Sequence, residues 1–422
     1  MREIIKPVIN RSVMAVALAL PGLSVQAQVK PPVAQFWMDV ATVNMSVPGM
    51  ADMEDAGLGG LGGMLGGVFG TTKLGFGTPG KWLGSRPRGR GWNSPLHPHN
   101  QPAGTEGTQA IPPAMAMGTS LPLIPVERTG GPRKEGEPDE WEKPKGRLLF
   151  YWGCGEKVRP GQPRVLDFAK AAPDEWGRFM TGRFAPDRGA KAVPGRSIWP
   201  NERDRQRVPK QASLVGDHGV SGEGVPASLR FAVREGHDFM PRIEMSAAGD
   251  AKDSVMLAWQ PLAAAQGYFL TAMGARGEDE MIIWSSSEQP DPGWGLMDYL
   301  APAKVKQLVG EKVVLAPNVE RCAMPAGIFG DAEGAMVRMI AYGPELNLAH
   351  PPRPANAKAP WEPEWAVRVR VKSTGMTMLG MDEQHGGRGR TTREEAAPAQ
   401  QEGGSGLGGL NPLNVIKGIF GR

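Results

Sequence analysis

Two cysteines, four tyrosines and six histidines in 422 residues leave little material for metal or redox chemistry. Cys154 and Cys322 stand far apart and form none of the paired spacings that bind zinc. His97-Pro98-His99 brings two imidazoles close, but no third ligand at a metal-binding spacing accompanies them. Asp217-His218 and His237-Asp238 are adjacent pairs, which a strand sends to opposite faces, so neither is a dyad by itself. No Gly-x-Ser-x-Gly elbow exists for a nucleophile. Gly57-Leu58-Gly59-Gly60-Leu61-Gly62 has the glycine spacing of a dinucleotide loop, yet residues 78–82 lack the acid that motif needs about 20 positions on. The reading is therefore of a protein without cofactor or metal, leaning away from an enzyme.

Long apolar runs are also missing beyond the first 20 residues, so no transmembrane span of roughly 20 residues is expected. The N-terminus itself reads as a secretory leader over 1–27. Arg2, Lys6 and Arg11 precede the apolar stretch Val13–Leu20, and Val25-Gln26-Ala27 offers small residues before Gln28. Export to the periplasm, the outer membrane surface or the medium follows. An oxidising compartment favours a Cys154–Cys322 bridge over two separate buried thiols.

What the chain has in excess is glycine, 58 residues, and proline, 40 residues, in clusters that predict long disordered inserts between packed segments. A first strand is expected within 28–47 and a Gly/Pro-rich insert over 48–118. An N-terminal β domain then covers 119–248, a second β unit 249–373 and a Gly-rich tail 374–422. Arg147–Trp152 is an apolar run bounded by glycines, as a buried strand would be. Ser254–Trp259, Gly267–Ala272 and Met281–Ser285 read as successive strands, and Pro302–Val309 before Gly310 as a short helix. The fold class predicted is mainly β: two β-sandwich-like domains with disordered inserts and one short helix.

Val255-Met256-Leu257-Ala258-Trp259-Gln260-Pro261, followed by Gly267-Tyr268-Phe269-Leu270-Thr271, resembles the B and C strands of fibronectin type III modules. Met336–Gly343 would be strand F. The resemblance spans about residues 250–373 and implies a binding or spacing module. The first half resembles exported bacterial proteins that carry Tyr151-Trp152-Gly153-Cys154-Gly155-Glu156 and then Arg159-Pro160-Gly161-Gln162-Pro163, a likeness that implies no particular activity.

The loop 176–210 is the most polarised part of the chain. From Arg178 to Lys210 nine basic residues face three acidic ones, a net +6. It reads either as a solvated arginine-rich loop or as a contact for lipopolysaccharide phosphates, anionic lipid or acidic glycan, with Trp199 interleaved among the cations. The ligand-contact candidates are Trp152, Glu156 and Arg159 around the Gly153 turn, and Trp199, Arg203, Arg205 and Arg207 in the basic loop. The expected partner is another envelope protein or an anionic surface component, not nucleic acid. Residues 406–422 add a possible peripheral membrane contact.

The leading expectation is thus a non-catalytic exported envelope protein that binds or scaffolds. A glycan-binding or glycan-cleaving protein is the first alternative, with Glu156, Asp167 and Asp174 as its carboxylates. A structural assembly factor using the Gly-rich tracts is the second.

Overall fold

The computed structural model describes residues 30–46, 80–88, 106–126, 146–179, 181–185, 196–204, 206, 208–277, 279–332, 334–356 and 359–380. The leader, the Gly57–Gly70 tract, His97 and His99, Arg205, Arg207 and the tail beyond Gly380 lie outside them.

The protein is mainly β. An eight-stranded sheet carries the architecture. Its strands run in space as β2 (Gly80–Arg88), β1 (Ala34–Ser46), β16 (Trp365–Leu379), β15 (Ala335–His350), β12 (Gly267–Arg276), β13 (Glu280–Ser285), β5 (Arg147–Trp152) and β6 (Arg164–Asp167). The β1–β16 and β13–β5 pairings are parallel and the others antiparallel. Alternation dictates the faces. Phe36, Met38 and Val40 of β1, and Val367, Val369 and Val371 of β16, point into the main core. Trp37, Asp39, Arg368 and Arg370, one residue out of phase, lie on the opposite face.

Two smaller sheets cover the apolar face. One has five strands in the order β7 (Ser197–Ile198), β4 (Ser120–Pro125), β3 (Gly107–Ala110), β8 (Gly216–Gly222) and β9 (Arg230–Val233). The other has three, β10 (Met245–Ala248), β11 (Val255–Trp259) and β14 (Arg321–Met324). Leu121, Leu123, Val220 and Phe231 from the first, and Leu257, Trp259 and Met324 from the second, join the same hydrophobic cluster. The opposite face is covered by residues 291–315. These include helix α2 (Pro302–Gly310), which buries Val305 and Leu308 against Phe269 and Ile340.

Strands from both halves of the chain share the large sheet, and β10 pairs antiparallel with β11 across the expected boundary at 248/249. Order also extends beyond the predicted limits. β2 and β3 fall within 48–118, and β16 runs six residues past Ser373. A helix not anticipated, α1 (Pro173–Phe179), opens the basic loop; Phe179 anchors it, edge-on to Phe150 at 6.4 Å. Pro122 sits where β4 lacks a partner on one side, since β7 pairs only with Ile124 and Pro125. Among the described residues no helix is long and apolar enough to cross a membrane.

Candidate functional site

The glycine-flanked turn after β5 is a structural joint. Gly153 adopts φ +96°, and a Cβ there would lie 2.7 Å from the Arg159 guanidinium carbon, so only glycine fits. Arg159 donates to both carboxylate oxygens of Glu288 at 2.7 and 3.0 Å and to the Cys154 carbonyl at 3.0 Å. Gln162 closes the loop by donating to the Trp152 carbonyl and accepting from its N–H. The Trp284 indole donates to the Gly153 carbonyl at 3.0 Å. Cys154 is bonded to Cys322 on β14 with the Cα atoms 5.1 Å apart, tying the large sheet to the three-stranded one. Gly155 N–H then donates to Ala323 O, and Ala326 N–H to Glu156 O, so the loop borders β14 as a further backbone layer. Trp152 is half-buried with the Arg164 guanidinium 5.5 Å from its ring centre, while the Glu156 side chain is exposed.

The basic loop spends several of its charges inside the protein. Arg183 donates to Glu311 at 2.6 Å and to fully buried Asp291 at 3.3 Å, and Asp291 also accepts the Arg183 backbone N–H. Arg196 is buried over the Trp37 ring, whose other cationic neighbour is Arg368 at 4.3 Å. Trp199 is 2% exposed and belongs to the main core. Arg203 is exposed and pairs with Glu106 at 2.9 Å. The loop therefore does not gather Trp199 and Arg203 into one surface, and Arg205 and Arg207 are outside the described residues.

Beneath residues 296–300 lies a closed layer of charge. Asp39 and Arg370 are paired, and the Tyr299 ring lies 4.6 Å from Arg370 and 4.2 Å from the Lys372 ammonium. Burial pushes the Lys372 ammonium down from its ordinary pKa and lowers the Arg338 guanidinium to about 10. Burial raises the Tyr299 and Tyr342 phenols, and Tyr342 donates to the Leu296 carbonyl at 2.6 Å. These groups serve one another and hold the 291–300 segment down.

One member of each carboxylate–histidine pair is spent on structure. Asp238 accepts from Ser213 Oγ and from the backbone N–H groups of Leu214 and Phe239. His218 is buried, with Nε2 2.8 Å from the Leu214 carbonyl. Asp167 pairs with Lys170, and the Asp174 side chain is outside the described residues. No group of three or more His, Cys, Asp or Glu able to hold a metal occurs among the described residues.

A different place presents unused chemistry. An open cleft of about 850 Å³ lies on the three-stranded sheet, lined by Glu244, Ser246, Gln260, Asn318, Glu320 and Arg321, with Trp259 at its border. Ser246, Ala258 and Arg321 are register partners in one row across β10, β11 and β14, one residue out of phase with the core-facing Trp259. Glu244 and Gln260 flank the strand ends, and Asn318 to Glu320 lead into β14. Among the described residues, Glu244, Gln260, Asn318, Glu320 and Arg321 make no side-chain hydrogen bond or ion pair. Trp259 is 5% exposed, and its buried Nε1 has no acceptor among them. Sequence reasoning missed this set because it comes from three stretches separated by other strands. Its one local signal is the polar run Asn318-Val319-Glu320-Arg321 before the strand of Cys322.

Compared with known protein families, curated proteins and solved structures, the chain matches none.

Proposed function

We propose that this chain is an exported, non-catalytic envelope protein whose ordered body is a binding module, with the cleft on the three-stranded sheet as its contact surface. The observation that carries the reading is the convergence of five polar side chains on one cleft, none of them used internally among the described residues. Solvent-facing donors and acceptors carried on a braced backbone are what a recognition surface needs, because the backbone is already ordered and the side chains alone have to be fixed at binding. The Cys154–Cys322 bond supports an oxidising compartment and braces β14, the strand that carries Arg321. The leader over 1–27 supports export, with the periplasm, the outer membrane surface or the medium as destination. A fibronectin type III-like origin for residues 250–373 is part of the proposal. It is supported by β11 and β12 lying in different sheets, with Trp259 and Tyr268 in edge-to-face contact at 5.6 Å.

The partner is an envelope component. Since Arg183 and Arg196 are occupied within the fold, the basic loop offers a partner less charge than its composition suggests. The test is co-sedimentation of the purified mature chain with envelope fragments. Binding is expected to fall by about tenfold when Asn318→Ala and Arg321→Ala are combined, and to stay within about twofold for Arg203→Glu. Equal sedimentation of the cleft variant would remove the cleft from the function. Full-length, unprocessed protein inside the cell would remove export.

A further inference from the structure

We infer that the cleft takes a hydroxyl-rich, phosphate-free saccharide. This rests on the binding-module reading and names the ligand class of the same surface.

The side chains set the chemistry. Glu244 and Glu320 are acceptors with two oxygens each, Arg321 is a forked donor, and Asn318 and Gln260 supply both functions from planar amides. Vicinal hydroxyls, each donor and acceptor at once, are matched by such planar groups through paired hydrogen bonds. The charge balance is two carboxylates against one guanidinium, so a phosphate dianion entering the cleft meets net repulsion. That argues against lipopolysaccharide phosphates and phosphorylated sugars at this place. The volume, about 850 Å³, falls in the roughly 300–1,000 Å³ range of small-ligand sites.

The β14 edge is closed to strand addition by a peptide. Peptides that extend a sheet need a free strand edge. Here one edge of the sheet, β14, is occupied by the 153–157 loop through the Gly155 and Glu156 backbone bonds. The recognising groups stand on the sheet face, in the row Ser246–Ala258–Arg321 and the segments flanking it.

The experiment is isothermal titration of the mature, disulfide-bonded chain. Its probes are neutral trisaccharides of gluco-, galacto-, manno- and N-acetylglucosamine type, together with glucose 6-phosphate and inorganic phosphate. At least one neutral trisaccharide is expected to bind, with Asn318→Ala and Arg321→Ala each weakening it by about tenfold, close to 1.4 kcal/mol. Phosphate and the phosphorylated sugar are expected to bind more weakly than the neutral sugars. Silence from every neutral trisaccharide overturns the inference, as does tighter binding of the phosphorylated sugar. Binding that ignores both variants also overturns it. Near-ultraviolet circular dichroism and thermal midpoint verify that the exposed substitutions leave the fold intact. Cleft-dependent co-sedimentation with envelope fragments, combined with silence toward saccharides, would sink the ligand class while leaving the binding-module reading standing.

Discussion

Arg370 donates through Nε and an Nη to the two carboxylate oxygens of Asp39, at 2.7 Å each, across neighbouring parallel strands whose register pairs those two residues. Both side chains are buried, so the pair fixes how the first ordered strand docks on the last. Removing one partner of such a pair strands a charge in the interior, at a cost of about 3–5 kcal/mol. Asp39→Ala is therefore expected to lower the urea midpoint strongly. Combining it with Arg370→Met should recover part of the loss, because no charge is then left unpaired. A double variant no more stable than Asp39→Ala would show that the pair does not set this docking.

The disulfide is the second long-range constraint. It links positions 168 residues apart, and the chain-entropy description assigns such a closure up to about 5 kcal/mol. Reduction, or paired Cys154→Ser and Cys322→Ser replacement, is expected to lower the thermal midpoint. The change should also increase hydrogen exchange in β14 more than in β1, since only β14 is held by that bond. Equal protection in both forms would contradict this role.

Gly153 answers to local geometry. Gly153→Ala forces a Cβ into a left-handed backbone region and against Arg159. A loss of about 1–3 kcal/mol is expected. Arg159→Ala in the same chain should relieve the contact but not the backbone strain, so recovery should be partial. Full recovery would mean that the clash alone matters.

His218 gives the fold a predictable acid response. Burial pushes its pKa below the usual 6.5, opposed by the Leu214 carbonyl bond and by Asp217. With Nε2 donating to Leu214 O, Nδ1 accepts from Gln109 Nε2 at 3.4 Å, and protonating Nδ1 would destroy that second bond. The unfolded chain then binds the proton more readily than the folded one. Stability is expected to be fully present above about pH 6.5 and to fall as the pH drops below it, by at most about 1.4 kcal/mol per unit. Denaturant titrations at pH 7.5 and pH 5.5 check this, with His218→Gln expected to flatten the difference. An unchanged slope would assign the acid sensitivity elsewhere.

Much of the strand inventory was legible from local pattern. Gly267–Ala272 and Met281–Ser285 emerge within β12 and β13, and the expected Pro302–Val309 helix is α2, which takes in Gly310 as its last residue. Pairing was not legible, because alternation says which face a residue occupies but not which strand lies beside it. Nothing local in Ala34–Ser46 announces a parallel partner more than 300 residues on. The strand F expected over Met336–Gly343 in fact continues through Pro344 to His350, by shifting register between Tyr342 and Glu345. The basic loop misleads for a related reason: composition reports the charge of Arg183 and Arg196 but not the carboxylates and indole that absorb it. The cleft escaped sequence reading because its residues become neighbours only once β10, β11 and β14 pair.

Photocrosslinking in the native host tests the central claim most directly. A benzoylphenylalanine replaces Gln260 in the cleft, or Lys252 in the exposed turn before β11 as the control. The account predicts a discrete adduct from position 260 in the envelope fraction, absent from position 252 and lost when Asn318→Ala and Arg321→Ala are introduced. Identical products from both positions, or none from position 260 while the protein resides in the envelope, would contradict it.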